Sequence, residues 1–232
     1  MSGQAGDAPV SIGIVDYGMG NRRSVEKALA HTGAAPFLSS DPAELGAAAG
    51  LVLPGVGAFP KAMENIAALG LAPFLREAVA SGTPMLGICL GMQLAFDSSE
   101  ELGGADGLGL IPGTVTALCA GDNKLPHIGW SEVGFSHSDT PLLADLPQRC
   151  AFYHVHSFAA RPREQADVLG TAEYGERFVT AVQRGSFYGV QFHPEKSSVA
   201  GLRLLGNFTC ACASGAGAGG AASEAAIRAT AR

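Results

Sequence analysis

The sequence predicts an α/β fold: an open, mostly parallel sheet with helices on both faces, and antiparallel additions in the C-terminal half. Three observations carry that prediction. In the first half, short apolar runs alternate with glycine turns and helix-compatible segments, the pattern of parallel strands covered on both faces. From about Thr114 the texture changes to strand-like segments separated by turns. The chain of 232 residues, 47% hydrophobic and 16% charged, is long enough to bury a substantial core as one domain.

Ser11 to Asp16 is an apolar run that ends in Tyr17-Gly18-Met19-Gly20. Asn21 follows, and then Val25, Ala28 and Leu29 at helical spacing, so the unit reads strand, glycine turn, helix. The pattern recurs where Leu51 to Leu53 runs into Pro54-Gly55-Val56-Gly57, and again where Met85 to Ile88 runs into Cys89-Leu90-Gly91. Trp130 to Phe135, Ala151 to Val155, Phe178 to Gln183 and Ser186 to Phe192 read as later strands, closed by a helix from about Val199 to Cys210. Residues 1–9 read as a flexible N-terminal extension and 10–212 as the domain. Residues 213–232 are an Ala/Gly-rich tail with almost no large apolar side chains. It reads as disordered, although its alanines permit a weak helix.

Lys+Arg of 15 against Asp+Glu of 21 leaves a net charge of -6, and no basic run with interleaved aromatics is present to track a phosphate backbone. Nucleic acid is therefore not expected as a partner. Met1 to Pro9 has no basic and apolar leader pattern, and the most apolar stretch, Pro84 to Phe96, is short and interrupted by Gly87, Gly91 and Gln93. The chain reads as cytoplasmic and not membrane-spanning. Five cysteines without regular spacing suit a reducing compartment.

One of those cysteines stands apart. Cys89 lies in Gly87-Ile88-Cys89-Leu90-Gly91, a G-x-C-x-G after an apolar strand and before an apolar, helix-compatible segment. A sharp strand-to-helix turn strains the central residue, and glycines on either side relieve the clashes. It presents the sulfur at the carboxyl end of the sheet, where open α/β folds form their crevices. A helix starting near Leu90 would aim free N–H groups at the sulfur and favour thiolate. A lone cysteine is otherwise a small buried hydrophobe, and the flanking glycines are what favour catalysis.

In Gln191-Phe192-His193-Pro194-Glu195, His193 and Glu195 are two apart on an extended segment and point to the same side. Pro194 biases His193 toward extended geometry. Glu195 can then orient the imidazole while its other nitrogen takes the Cys89 proton. H-P-E alone is equally a histidine satisfied by a neighbouring acid; the pairing with the elbow strengthens the catalytic reading. His154 and His156 share a strand face and His127 follows Pro126. No third ligand at metal spacing accompanies them, so they read as core or pocket-wall residues and no metal or other cofactor is expected. The backbone N–H groups of the Pro54–Gly57 segment, Val56 among them, are placed to converge with that of Leu90 on an oxyanion, or the segment is a plain turn. Cys210 and Cys212 lie on different faces of a helix, and Cys119 and Cys150 have no motif around them.

The ordered series Asp16-Tyr17-Gly18-Met19-Gly20-Asn21, Leu53 to Phe59, Gly87 to Gln93, Pro126-His127-Ile128-Gly129-Trp130 and Gln191 to Glu195 resembles the class I, or triad, glutamine amidotransferases, which have a flavodoxin-like fold. In detail it is similar to the glutaminase subunits of imidazole glycerol phosphate synthase, over roughly Val10 to Cys210. The resemblance implies a triad of Cys89, His193 and Glu195 that hydrolyses glutamine to glutamate and ammonia. Ammonia would pass to a (βα)8-barrel cyclase in a heterodimer and react with a phosphorylated ribulosyl carboxamide nucleotide. The products would be imidazole glycerol phosphate and an aminoimidazole carboxamide ribonucleotide, in histidine biosynthesis. Val56 and Leu90 are the expected oxyanion-hole residues, by analogy with the loop after an earlier strand in α/β hydrolases. By the same resemblance Gly57, Gln93, Glu101, His156, Ser157 and Phe158 hold glutamine, and Asn21 and Trp130 face the partner. Ser131 departs from the pattern, which has asparagine after Gly-Trp.

Three other readings share parts of this pattern. An anthranilate or aminodeoxychorismate synthase glutaminase usually carries histidine where this chain has Met92, and lacks Y-G-M-G-N. A cysteine peptidase or stand-alone hydrolase would use the same elbow without a partner. A non-catalytic module would not need Cys89, His193 and Glu195 together.

Overall fold

The computed structural model describes residues 8–136 and 140–229, with side chains described through residue 215. In chain order the first half comprises β1 (Ser11–Val15), α1 (Arg22–His31), β2 (Ala35–Ser39), α2 (Pro42–Gly46), β3 (Gly50–Gly55), α3 (Phe59–Ala68), α4 (Leu71–Ala80), β4 (Met85–Cys89), α5 (Leu90–Gln93), β5 (Phe96–Ser99), β6 (Ala105–Asp106) and β7 (Ile111–Ala117). The second half comprises β8 (His127–Phe135), β9 (Arg149–His156), β10 (Phe158–Pro162), β11 (Val168–Tyr174), β12 (Glu176–Arg184), β13 (Phe187–Val190) and α6 (Ser198–Ala229).

The sheet runs β2-β1-β3-β4-β13-β12-β10-β7-β5-β6, with β11, β8 and β9 extending from β12 as an antiparallel arm. Its first part, β2-β1-β3-β4-β13, is parallel throughout and has the 2-1-3-4-5 order of flavodoxin-like sheets. From β13 onward the pairings to β12, β10 and β7 are antiparallel, as expected from the change in texture.

Alternation along the parallel strands divides the core in two. Ile12, Ile14, Val52, Leu86 and Ile88 pack with Val25 and Leu29 of α1 and Leu204, Leu205 and Phe208 of α6. Their strand neighbours Val15, Leu51, Leu53 and Met85 pack with Phe59, Ile66, Leu71 and Leu75 of α3 and α4 on the opposite face. Both faces are thus buried, which is why these strands read as continuous apolar runs.

The segment after Cys89 differs from the sequence expectation. The apolar helix expected there is a single turn, Leu90–Gln93, and the chain then enters strand β5. Backbone N–H groups of Leu108 and Leu110 claim the carbonyls of Leu94 and Ala95 at 2.8 Å. Those long-range bonds replace the ones that continued helix would have made. The closing helix, expected from Val199 to Cys210, runs from Ser198 through Ala229, and alanine has the highest helix propensity. The side chains of most of the Ala/Gly tail lie outside the described residues, as do residues 1–7, on which the reading of a flexible extension falls. Among the described residues no helix is long and apolar enough to cross a membrane.

The glycines of the elbow pack backbone against backbone. A Cβ on Gly91 would lie 1.7 Å from the Leu53 carbonyl oxygen, and one on Gly87 would lie 2.7 Å from the Gly91 carbonyl oxygen. Gly91→Ala is therefore expected to destabilise the fold by about 3 kcal/mol or more, the upper range for overpacking. Gly206→Ala, inside α6 with nothing nearer than 3.9 Å, is expected to stabilise by roughly 0.5–1 kcal/mol. Urea-unfolding midpoints of the two variants check both signs.

Candidate active site

The loops after the carboxyl ends of β1, β3, β4 and β13 meet at one edge of the sheet. Cys89 ends β4 with φ 54° and ψ −109°, a left-handed conformation that costs a non-glycine residue energy and marks a constrained site. Its side chain is buried, as are those of His193 and Glu195. His193 is extended, as the residue before a proline must be, with φ −101° and ψ 94°. Its N–H donates to the Tyr153 carbonyl at 2.9 Å, and its own carbonyl accepts from Ser197 Oγ at 2.6 Å. The imidazole is thereby held beside Cys89, with which it lines one cavity, and against Glu195, whose Oε1 lies 2.9 Å from His193 Nδ1.

That arrangement sets charge. Burial opposes a charged imidazole, but its hydrogen bonding to Cys89 and Glu195 and their negative charge prevail, and raise the His193 pKa from 6.5 to about 10. Nδ1–H donates to the carboxylate, which leaves Nε2 as the ring nitrogen available to the sulfur. Asn21, expected toward a partner, is half-buried and donates its Nδ2 to Glu195 Oε1 at 3.4 Å. With α5 only one turn long, little helix dipole is directed at the sulfur.

Cys89 and His193 open onto a cavity of about 270 Å³ whose lining includes Val56, Gly57, Leu90, Gln93, Glu101, His156, Ser157 and Phe158. Every residue expected for the oxyanion hole and for glutamine is among these. Glu101 Oε2 accepts from the Phe59 N–H at 2.8 Å, and Gln93 donates Nε2 to the Phe158 carbonyl at 3.1 Å. The larger groove of the molecule, about 800 Å³ between β8, β9 and β11, lies elsewhere and contains none of the triad.

Beneath the Pro54–Gly57 segment, buried Tyr17 donates its hydroxyl to the Pro54 carbonyl at 2.7 Å. Burial, and then the charge of Cys89, raise its pKa well above the ordinary tyrosine value, so it stays a donor. A Cβ on Gly55 would lie 2.6 Å from that hydroxyl and 2.7 Å from Leu90 Cβ. The Y-G-M-G-N motif thus supports the loop whose N–H groups were proposed to receive an oxyanion.

The rings of His127, His154 and His156 pack against one another at the cavity wall, with a hydrogen bond between His127 and His156. Their tautomers follow from their partners. His156 Nδ1 must donate to the Phe158 carbonyl at 2.9 Å, so its Nε2 accepts from His127 Nδ1 at 3.1 Å, and His127 Nε2 accepts from Ser131 Oγ at 3.0 Å. His154 donates Nδ1 to the Phe152 carbonyl and accepts from Thr180 at Nε2. Ser131, the departure noted in the sequence, has a defined role as the end of this chain. Among the described residues no group of metal-ligating side chains is present. Cys212 is buried and Cys210 exposed, as opposite helix faces require.

Sequence reasoning missed Tyr17, Lys196, which lines the cavity, and Gln191, whose Nε2 lies 3.6 Å from Cys89 Sγ. The i, i+2 alternation that paired His193 with Glu195 extends back to Gln191 and was available to find it.

A nucleophile elbow at the crossover of a flavodoxin-like sheet, with a Cys-His-Glu triad, defines the class-I glutamine amidotransferases. The family model described as glutamine amidotransferase class-I matches residues 13–212, and the chain belongs to that family. Within it the chain groups with imidazole glycerol phosphate synthase subunits HisH. It is 51% identical to the HisH subunit of Moorella thermoacetica over 85% of this chain and 93% of that protein. It is 44% identical to the HisH subunit of Bacillus subtilis over 85% of this chain and 95% of that protein. The fold is similar to PurLQS from Thermotoga maritima, with a TM-score of 0.69 at 18% identity over 87% of this chain and 98% of that one. It is also similar to the glutaminase domain of Trypanosoma brucei CTPS, with a TM-score of 0.65 at 19% identity over 88% and 94% of the two chains.

Two pH dependences follow from the histidines. Burial, with the neighbouring histidines adding to it, lowers His154 to about 3 and His156 to about 4. Their contribution to stability is complete above 6.5 and is lost as pH falls from 6.5 toward those values, by about 1.4 kcal/mol per pH unit per histidine. His193, raised, contributes fully below 6.5 and loses its contribution as pH rises through about 10. Urea midpoints from pH 4 to 10 should fall at both ends. His154→Asn should flatten the acid limb and Cys89→Ala the alkaline one.

Proposed function

We propose that this chain is the glutaminase subunit of an imidazole glycerol phosphate synthase: it hydrolyses the side-chain amide of glutamine and passes ammonia to a cyclase subunit. The observation that carries the reading is the convergence of Cys89, His193 and Glu195 on a cavity sized for an amino acid. Cavities that take drug-sized ligands begin at about 300 Å³.

In the first half-reaction Cys89 thiolate forms a bond to the amide carbon, and the negative charge moves to the carbonyl oxygen. The backbone N–H groups of Val56 and Leu90 receive it. The C–N bond breaks as His193 gives its Nε2 proton to the leaving nitrogen, and ammonia departs. In the second, His193 takes a proton from water, the hydroxide adds to the thioester, and the S–C bond breaks to return thiolate and release glutamate. Glu195 keeps Nδ1–H pointed at itself throughout, so the proton traffic runs through Nε2 alone. The loop ending at Gly57, with Gln93, Glu101 and the His156-Ser157-Phe158 wall, holds glutamine.

The relatives named as HisH subunits support assembly with a second protein. An apolar outer edge on β8 is suited to it: Ile128 and Trp130 alternate with inward-facing His127 and are 60% and 55% exposed, with Leu125 nearby at 47%. A (βα)8 barrel docked here would take ammonia and a phosphorylated ribulosyl carboxamide nucleotide to imidazole glycerol phosphate and the aminoimidazole carboxamide ribonucleotide.

Glutamate release, measured with the chain alone and with the cyclase plus its nucleotide, tests this. The expected result is turnover of glutamine that rises in the complete mixture and falls by about 10³-fold or more in Cys89→Ala. Full activity in Cys89→Ala, or turnover of peptides and esters in preference to glutamine, would overturn it.

A further inference from the structure

We infer that Gln191 is a further catalytic residue, whose side-chain amide donates a hydrogen bond to Cys89 Sγ and stabilises the sulfur as thiolate. The inference rests on the reading of Cys89 as the nucleophile. Gln191 is completely buried, and its Nε2 lies 3.6 Å from Sγ. Its backbone is pinned from the other side, where its N–H donates to the Thr180 carbonyl at 2.8 Å.

The orientation of the amide follows from its neighbours. Gln191 Oε1 accepts from Gln93 Nε2 at 2.9 Å, and the same Nε2 donates its second hydrogen to the Phe158 carbonyl at 3.1 Å. The Phe158 carbonyl offers no hydrogen, so the nitrogen of Gln93 must face it, and Gln191 must meet Gln93 with its oxygen. A flipped Gln191 would set two NH₂ groups against each other and aim its oxygen at the thiolate. The chain behind Phe158, His156 to His127 to Ser131, keeps that carbonyl in place. A directed series therefore ends with an N–H on the sulfur: Gln93 locked by a carbonyl, Gln191 locked by Gln93.

A donor is needed at that place. Sγ is buried, and hydrogen bonds to a charged group contribute more than neutral ones. The other titratable groups near the sulfur are His193 and Tyr17, whose hydroxyl is committed to Pro54, and the Val155 carbonyl lies 3.7 Å from Sγ. His156, Glu101 and Lys196 line the same cavity. Gln191 does not line it. The residue thus acts on sulfur and not on bound glutamine, and its effect belongs to the steps in which thiolate forms or departs. Its bond weakens as the S–C bond forms and charge moves to the carbonyl oxygen, and it re-forms as the thioester is hydrolysed.

Gln191→Glu keeps the acceptor for Gln93 and replaces the donor to sulfur with a negatively charged oxygen, so it opposes thiolate without removing the packing. Gln191→Met, of similar shape, loses both. Alkylation of Cys89 by iodoacetamide, followed by mass spectrometry on the Cys89 peptide from pH 6 to 9, is expected to slow about tenfold to hundredfold at neutral pH in both. The rate profile should move to higher pH. With glutamine and the complete complex, kcat should fall by a similar factor, and KM by contrast should change less than about threefold. In the unmutated chain the Gln191 side-chain amide proton resonance should shift on alkylation of Cys89, a readout that needs no variant. Unchanged alkylation and kcat, a change confined to KM, or an amide resonance that does not move would overturn the inference. Alkylation does not involve glutamine, so these outcomes are distinct from a failure of the glutaminase reading, which Cys89→Ala reports.

Discussion

The site depends on how closely the turn at Cys89 approaches strand β3. Gly91 lies against the Leu53 carbonyl and Gly87 against the turn itself, so near that neither position has room for a methyl group. That contact forces Cys89 into positive φ and lifts its side chain over the carboxyl ends of β3, β4 and β13. The strain is offset by packing across the sheet: Leu53 on β3 and Met85 on β4 belong to the core shared with α3 and α4. With the sulfur placed there, the loops after β1, β3 and β13 need only reach the same edge to complete the site.

Charge in the site is selected by hydrogen-bond partners. Among the described residues four buried histidines lie in this half of the molecule, and burial opposes protonation of each. Of these four, only His193 faces a carboxylate and the Cys89 sulfur, and only His193 is pushed toward the imidazolium. His127, His154 and His156 meet carbonyls, hydroxyls and one another, which satisfy neutral rings and give a cation no counter-charge. The result is one proton-carrying imidazole beside a rigid neutral wall, two jobs given to one residue type by environment.

The loops around Cys89 also brace one another. Tyr17 holds Pro54 from below, Asn21 reaches Glu195, and a Cβ at Gly57 would meet Met19 at 2.6 Å. The segment after β1 therefore touches both the loop suited to an oxyanion and the triad carboxylate. Displacement of that segment would be felt at both of these contacts.

Much of this was legible in the residues. Apolar runs bounded by glycine identified the parallel strands, because a strand buried on both faces has no polar side. G-x-C-x-G identified the elbow, because only glycine fits there, and His193-Pro194-Glu195 paired base and orienter, because alternation along an extended chain is a local rule. The length of the helix after Cys89 was not legible, since the carbonyls of Leu94 and Ala95 are taken by residues far along the chain. Nor was the register that sets His127 opposite His156, or the meeting of Gln93 with Gln191. By itself the sequence determined the strands, the turn and the identity of the triad, all consequences of steric and periodic rules acting over a few residues. The tertiary structure alone decided which amide faces the sulfur and which histidine carries charge, because those depend on hydrogen bonds between distant segments whose pairing no local pattern encodes.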